Sequence, residues 1–199
     1  WYDVRTLDAL AHRYVSTVDS GNLCACLLLC AQALRARGYE RVDLFYGGDW
    51  PLDAAIDRRF ETDSYFYGRS IRSFARLVDA VADYDSILFV GADVIDGAYN
   101  PSSVRHRISL LREAGLSGRR GVIMGASYNE TPDAGLQRYI ADLPAGTRIC
   151  ARDPVSKARM DAAFPRHTVQ QTADVAFLLE PRPEHPDAVA ALAWMAVRR

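Results

Sequence analysis

The apolar runs of this 199-residue chain are continuous and bordered by glycine, and that pattern restricts its fold more than any other feature. Residues 86–91 and 121–124 are such runs, and segments with helical periodicity lie before, between and after them. Short apolar runs without polar alternation are typical of strands that are covered on both faces. Strand and helix in alternation therefore predict an α/β fold, with an open parallel sheet and helices on both of its faces.

The same kinds of pattern predict the other elements. Asn22 can cap, and Gly38 can end, an apolar helix over residues 23–37 that we expect to be central and buried. Thr131, Pro132 and Asp133 follow the usual order of cap, first-turn proline and acidic residue at the start of another helix. Residues 49–70 show no period and are either a long functional loop or a short helix packed on the core. The other predicted helices are 3–14, 71–82, 104–115, 154–163 and one from 186, and the other predicted strands are 15–18, 41–46, 147–151 and 175–179.

Charge, hydropathy and cysteine spacing exclude several classes of protein. The formal net charge is −1, so no nucleic acid partner is expected. The longest apolar run, residues 23–31, is too short to cross a bilayer, and the charged first 15 residues contain no export signal, so we expect a cytoplasmic protein that is not transmembrane. Three of the four cysteines fall within one apolar helix at poor ligand spacing, so we expect buried cysteines and no metal.

Polar and glycine residues follow the predicted strands, at the edge where open parallel sheets bind their ligands. Glycine lets a backbone approach a ligand closely, and carboxylate, hydroxyl and amide side chains bind the hydroxyl groups of a sugar. Polyol substrates with an anionic group suit that mixture together with an arginine. The predicted substrate-binding residues are Gly21, Asn22, Gly91, Asp93, Ser127, Asn129, Asp153 and Ser156.

Arg152 is the predicted catalytic residue. It lies between the strand that ends at Ala151 and the helix that Pro154 opens. A helix N-terminus already favours anions, and a fixed guanidinium there adds a bidentate donor. The alternative is that Arg152 pairs with a nearby carboxylate and only braces the turn. Asp153 and Ser156 also have a second explanation, because they suit the cap and first turn of a helix.

Several common sites are absent from the sequence. No Gly-x-Gly-x-x-Gly follows the first strand, no phosphate-binding loop motif occurs, and no Gly-x-Ser-x-Gly occurs. A dinucleotide site, a nucleotide kinase and a serine hydrolase are therefore not expected. The four histidines are not tied by spacing to a nucleophile or a metal partner.

These segments, in this order, resemble the polysaccharide pyruvyl transferase family. The resemblance rests on Gly21 and Asn22 before the apolar helix, on residues 86–93, on residues 122–127, and most specifically on residues 149–156 followed by residues 173–179. Asn22 stands where the family usually has aspartate, and Ala92 and Asp93 interrupt its usual glycine run, which leaves a changed acceptor or a lost activity open.

The resemblance implies a fold and an activity. Such enzymes have two facing Rossmann-like domains in the glycosyltransferase-B manner. They transfer the enolpyruvyl group of phosphoenolpyruvate to two hydroxyls of a sugar, leaving a pyruvate ketal in cell-surface polysaccharide biosynthesis. The implied partners are a sugar or glycolipid acceptor and phosphoenolpyruvate as the donor substrate, with no other cofactor. Arg152 would stabilise the phosphate or the carboxylate of the donor.

The resemblance also implies how the chain is divided. Residues 1–180 match the N-terminal Rossmann-like domain, and the proline-rich residues 181–199 are the predicted hinge and helix leading to a second domain, so this fragment is expected to be inactive alone. Oligomeric state is left open, with a homo-oligomer as one option. The alternative functions are a nucleotide-sugar glycosyltransferase with the same two-domain fold and a non-catalytic carbohydrate-binding relative.

Overall fold

A computed structural model describes residues 17–45, 55–91 and 95–173 of the chain. In this part, helices and parallel strands follow one another in the order α1 (Thr17–Ala36), β1 (Asp43–Phe45), β2 (Arg58–Phe60), α2 (Asp63–Phe66), α3 (Ile71–Val81), β3 (Ser86–Val90), α4 (Pro101–Leu116), β4 (Arg120–Ala126), α5 (Ala134–Ala141), β5 (Arg148–Ala151), α6 (Pro154–Ala163) and β6 (Val169–Gln171), with strict alternation from β3 onward. The predicted α/β class and parallel sheet are confirmed.

The larger sheet contains four parallel strands in the order β3-β4-β5-β6, so each strand pairs with the next one along the chain. A smaller sheet holds β1 and β2, which are also parallel. A single helix connects β3 to β4, β4 to β5 and β5 to β6. These connections are the βαβ units that parallel pairing requires.

One hydrophobic core joins the four-stranded sheet to its helices. Ile123 of β4 and Ile149 of β5 are fully buried, and they pack with Ile108 of α4, Leu136 and Phe164 in the same cluster. A smaller cluster around Tyr65 and Phe66 lies between α2, α3 and α4. Residues 63–66 thus form the short packed helix that was one of the two options for residues 49–70.

Side-chain caps fix where three helices at the sheet begin. Asn100 accepts from the backbone N–H of Ser103, Asp133 from that of Leu136, and Asp153 from that of Ser156. Pro101 and Pro154 occupy the first turns of α4 and α6. The sequence placed Thr131 as the cap of α5, whereas the structure assigns this role to Asp133.

Three other predictions need correction. Helix α1 begins at Thr17 and not after Asn22, so Gly21 and Asn22 lie within the helix, Asn22 is not its cap, and Thr17 and Val18 are not in a strand. Strands β2 and β6 were not predicted. The helix 3–14, the strand 175–179 and the hinge 181–186 with its following helix fall outside the described residues.

The end of β4 is irregular. Ile123 pairs with Ile149 and Ala126 with Ala151, so three steps along β4 match two along β5 and one residue of β4 is extra. Gly125 lies inside this bulge with a φ of 62°, a backbone conformation that glycine adopts without strain. The bulge bends the strand just before Ser127, the first residue of the loop that follows.

Candidate functional site

The candidate site is the carboxyl edge of the four-stranded sheet, where the loops after β3, β4 and β5 meet. Hydrogen bonds cross from strand end to strand end: the Gly91 N–H donates to Met124 O at 2.8 Å, and the Arg152 N–H donates to Ala126 O at 3.1 Å. The sheet ladder therefore extends into the first residue after β3 and the first after β5. This edge holds most of the residues that the sequence singled out.

Asp96 holds two of these loops together. Its side chain is almost fully buried, with the residue 1% exposed. Oδ1 accepts from the Ala98 N–H at 2.9 Å, and Oδ2 accepts from the Asn129 N–H at 3.0 Å. The Asp96 carbonyl oxygen accepts from the Asp133 N–H at 2.9 Å. One residue thus ties the loop after β3 to the loop after β4.

Sequence reasoning missed Asp96. The Asp-Gly pair at residues 96–97 marks a turn. The bond from Asn129, however, spans 33 residues, and no local pattern reports it.

Asp153 and Ser156 form a second brace. The Ser156 N–H donates to Asp153 Oδ1 at 2.8 Å, and its hydroxyl donates to Asp153 Oδ2 at 2.6 Å. The same hydroxyl oxygen accepts from the Tyr128 N–H at 3.0 Å. The hydrogen bonds from Ser156 are the main reason that the pKa of Asp153 lies below its usual range, and the charge of Arg152 contributes least. Capping by Asp153 is confirmed, while substrate binding by either residue stays a prediction.

Arg152 lies at the point where the sequence expected it, directly after β5 and ahead of α6. Its backbone is fixed to β4, and the residue is half-buried. Its positive charge contributes slightly to the lowered pKa of Asp153, which agrees with the bracing interpretation. Its catalytic role stays a prediction.

Tyr128 is the second residue that the sequence did not single out for a role. It is 3% exposed, and its ring meets that of Phe164 edge-on, with centroids 5.4 Å apart. Among the described residues, its hydroxyl has no hydrogen-bond partner. Burial, followed by the charge of Asp96, raises the pKa of this hydroxyl, so it stays protonated. The loop after β4 is therefore fixed by a buried aromatic ring and by two braces.

The other predicted site residues are distributed unevenly. Gly91 is buried, Ser127 is half-buried and Asn129 is exposed, and all three lie at the carboxyl edge. Gly21 and Asn22 lie in α1 and not in a loop at this edge. Asp93 is outside the described residues, so the structure says nothing about its place.

A β-carbon on Gly91 would lie 2.6 Å from the Cβ of Ala126. Real Cβ atoms do not approach that closely, so the end of β3 requires glycine in order to pair with β4. This packing gives Gly91 a role that is independent of any ligand.

The arrangement offers an arginine, a serine and an asparagine around one sheet edge. These groups can bind an anion and hydroxyl groups. In the described part of the chain, no group of three or more His, Cys, Asp or Glu residues could hold a metal ion. No helix among the described residues has the length and apolar character needed to cross a membrane.

Comparison with known proteins identifies a family. The family model of polysaccharide pyruvyl transferases matches residues 25–195. No curated protein and no solved structure matches the chain significantly.

Proposed function

The chain belongs to the polysaccharide pyruvyl transferase family, and from that premise we propose that the protein forms a pyruvate ketal on a sugar, with phosphoenolpyruvate as donor. The observation that carries the proposal is the family match over residues 25–195. Additional support comes from Arg152, because it lies after β5 at the edge where open parallel sheets bind ligands.

The main requirement of the proposed reaction is a site that binds the anionic donor, since no covalent intermediate with the protein is involved. One sugar hydroxyl adds to C2 of phosphoenolpyruvate while C3 takes up a proton. A second hydroxyl then displaces phosphate at C2, giving up its own proton and leaving the ketal and free phosphate. The donor brings a carboxylate and a phosphate, so a fixed guanidinium lowers the energy of the charged donor and of the departing phosphate.

In this proposal Arg152 provides the guanidinium. Its strand and its helix are both anchored: β5 is paired with β4 and β6, and α6 begins at the brace of Asp153 and Ser156. An arginine on such a base loses little freedom when it binds an anion. Ser127 and Asn129, at the same edge, are the proposed contacts to the acceptor hydroxyls.

The test is phosphate release and ketal formation by the full-length protein with phosphoenolpyruvate and a panel of sugars. We expect Arg152→Ala to lower kcat/KM about 10²–10³-fold, since one preformed donor to the developing charge is lost. Arg152→Lys should fall in between, because it keeps the charge without the bidentate geometry.

Arg148→Ala is the matched control. Arg148 is an exposed arginine on the same strand, at its opposite end, so this variant should retain full activity. Circular dichroism of each variant checks that the fold is intact. Full ketal formation by a folded Arg152→Ala protein would refute the assigned role, and transfer from nucleotide-sugars with none from phosphoenolpyruvate would refute the function.

A further inference from the structure

Arg69 is the one described residue other than glycine with a positive φ, at 58°. Its N–H donates to Tyr65 O, four residues back along the end of α2, at 3.0 Å. This is the bond of a left-handed helix ending, a position at which glycine is the usual residue. An arginine costs free energy in that conformation, and its side chain is exposed, so burial does not offset the cost.

The Arg69 side chain crosses to the start of α4. Its Nη2 donates to Ser102 Oγ, in the first turn of that helix, at 3.3 Å. Arg107, in the second turn, donates through Nη1 to the Ser103 hydroxyl and through Nη2 to the Tyr67 hydroxyl, the latter at 3.3 Å. Both guanidinium groups are thus held at the beginning of one helix. We call Arg69 and Arg107 the arginine pair.

The charges of the arginine pair are not neutralised within the described part of the chain. The hydrogen-bond partners of both guanidinium groups are hydroxyl groups, and no carboxylate pairs with either of them there. Two like charges near one helix start repel each other, and the positive end of the helix dipole adds to their potential. An anion bound between them would offset that repulsion. Each guanidinium has five N–H groups and so keeps donors for such an anion.

Aromatic rings surround the arginine pair. The Cζ of Arg107 is 4.5 Å from the Phe66 ring centroid and 5.7 Å from that of Tyr67, and this stacking restricts the guanidinium without neutralising it. Tyr67 and Tyr99 are 61% and 62% exposed, and both line the same cavity as Arg107. Exposed aromatic faces beside hydrogen-bond donors suit the apolar face of a sugar ring.

The arginine pair lies beside the carboxyl edge and apart from Arg152. Helix α4 follows β3, whereas Arg152 follows β5, so two strand spacings, about 10 Å, separate the two strand ends. Tyr99 comes three residues after Asp96, whose carboxylate holds the loop after β4. A sugar at the arginine pair would therefore adjoin the edge of the proposed transfer and leave Arg152 to the donor.

We infer that the arginine pair, with Tyr67 and Tyr99, binds an acidic sugar unit of the acceptor, one that carries a carboxylate or a phosphate on the sugar itself. The inference rests on the proposed function and narrows its acceptor. The guanidinium groups hold the acid group by charge-assisted hydrogen bonds, and the tyrosine rings cover a face of the sugar. The arginine pair positions the acceptor and takes no part in the bond-forming steps.

The test compares the binding of glucose, glucuronate and glucose 6-phosphate to the full-length protein, measured by NMR titration. At least one of the two acidic sugars should bind about tenfold more tightly than glucose, because charge-assisted hydrogen bonds add to the contacts of the ring. The tighter of the two identifies the acid group as a carboxylate or a phosphate. Binding of both acidic sugars no tighter than that of glucose would overturn the inference.

Variants on α4 and at Tyr99 locate the binding. Arg107→Gln should weaken binding of the preferred acidic sugar about tenfold and leave that of glucose unchanged. Arg105→Gln, at an exposed arginine on the same helix, is the matched control and should change neither. Tyr99→Ala should weaken both sugars by a similar factor, since contact with a ring does not depend on charge.

Arg69→Gly separates a binding role from a structural one. Glycine adopts a positive φ without strain, so this variant should unfold at a higher urea concentration than the unchanged protein. It should also bind the acidic sugar about tenfold more weakly. An arginine that only ended α2 would give the first change without the second.

Unchanged binding of the acidic sugar by Arg69→Gly and by folded Arg107→Gln would overturn the inference. Should Arg107→Gln fail to fold, Arg69→Gly alone decides, because it relieves strain. Ketal formation from phosphoenolpyruvate on a neutral sugar separates the two proposals: if it occurs while neither acidic sugar is preferred, only the acidic acceptor is refuted.

Discussion

Asp96 and Ser156 are each at least 96% buried, and both use their side-chain oxygens to hold loops of the carboxyl edge. Tyr128, equally buried between them in the chain, leaves its hydroxyl without a partner among the described residues. At the scale of single residues, the edge therefore contains polar groups with opposite energetic consequences, since a bonded buried group stabilises the fold and an unbonded one destabilises it.

Substitution of these two kinds of residue should have opposite effects. Asp96→Ala leaves the Ala98 and Asn129 N–H groups without an acceptor and should lower the free energy of unfolding by about 2–4 kcal/mol. Tyr128→Phe removes an unbonded hydroxyl and should leave that free energy unchanged or raise it by up to about 1 kcal/mol. Urea unfolding measures both. A clear loss of stability in Tyr128→Phe would mean that the hydroxyl does have a partner.

The Asp153 cap should depend on pH in a definite direction. The pKa of Asp153 is lower in the folded protein than in the unfolded chain, so its stabilisation is present above the unfolded value of about 3.9 and is lost as pH falls through the folded pKa. Asp153→Ala should cost about 1–2 kcal/mol at neutral pH, and this cost should shrink only below about pH 4. Unfolding of both proteins between pH 7 and about pH 3 measures the difference. A cost that stays constant down to the lowest pH would contradict the assignment.

Sequence reasoning at this scale found the residues whose role is local. Asp153 was recognisable because the residue that it caps lies three positions away. The roles of Asp96 and of the Ser156 hydroxyl involve partners 33 and 28 residues away, and only the folded sheet brings these partners together. Gly91 was selected for ligand approach, whereas its packing against Ala126 depends on strand pairing.

At the scale of elements, the end of β3 and the bulge of β4 fit against each other. Gly91 has no side chain, and the Cβ of Ala126 occupies the space that a side chain there would need. Ala126 pairs with Ala151 of β5, which is the first regular pair after the bulge. The bulge lies directly before the loop after β4, which carries Ser127 and Asn129.

Gly91→Ala should lower the free energy of unfolding by about 1–3 kcal/mol, because the new methyl group would lie 2.6 Å from the Ala126 Cβ. The double variant Gly91→Ala with Ala126→Gly removes that overlap and should recover part of the loss; the Ala126 Cα and the Ile123 side chain, both within 3.3 Å, prevent full recovery. A double-mutant cycle measured by urea unfolding gives the coupling.

Gly146→Ala is the control for that cycle, since nothing lies within 4 Å of the position its β-carbon would occupy. This variant should be nearly neutral. Purely additive losses in the double variant would show that the two positions do not meet as the structure has them.

Elements were predicted where their sequence carries a strong period or a continuous apolar run. Strands β3, β4 and β5 and helices α3, α4 and α6 meet that condition. Strand β2 reads Arg-Arg-Phe and β6 reads Val-Gln-Gln, so neither has the apolar content that identifies a strand, and pairing with a neighbour alone defines them. The first turns of α1, residues 17–22, include glycine and asparagine, which favour a cap or a loop over a helix interior.

At the scale of the whole molecule, strands differ in how many neighbours they have. In the described residues, β4 and β5 are paired on both sides, β3 and β6 on one side, and β1 and β2 form a separate pair. Ile123 of β4 and Ile149 of β5 are fully buried, whereas every residue of β3 is half-buried.

Hydrogen exchange should reproduce this ranking. We expect the amides of β4 and β5 to exchange most slowly, close to the rate that global unfolding allows, and those of β1 and β2 to exchange through smaller openings. Mass spectrometry of peptides from each strand measures the rates. Equal protection of β1 and β4 would contradict the division into two sheets.

The α/β class could be predicted from the sequence, because segments with helical periodicity and continuous apolar runs alternate along the whole chain. The division of the strands into two sheets could not be predicted. The sequence predicts that β1 is a strand, but it does not indicate whether β1 pairs with β2 or with β3. A cavity of about 470 Å³, lined by all five residues of β3, lies between β1 and β3, and no local pattern in the sequence indicates it.

The ribosome releases the strands of the larger sheet in the order in which they pair. When β4 emerges, β3 has already been made, and the same holds for β5 and then for β6. Each new strand from β4 onward, with its helix, can therefore add to an edge that has already been translated. Nascent chains stopped after α4, α5 and α6 would then hold successively larger pieces of the same sheet.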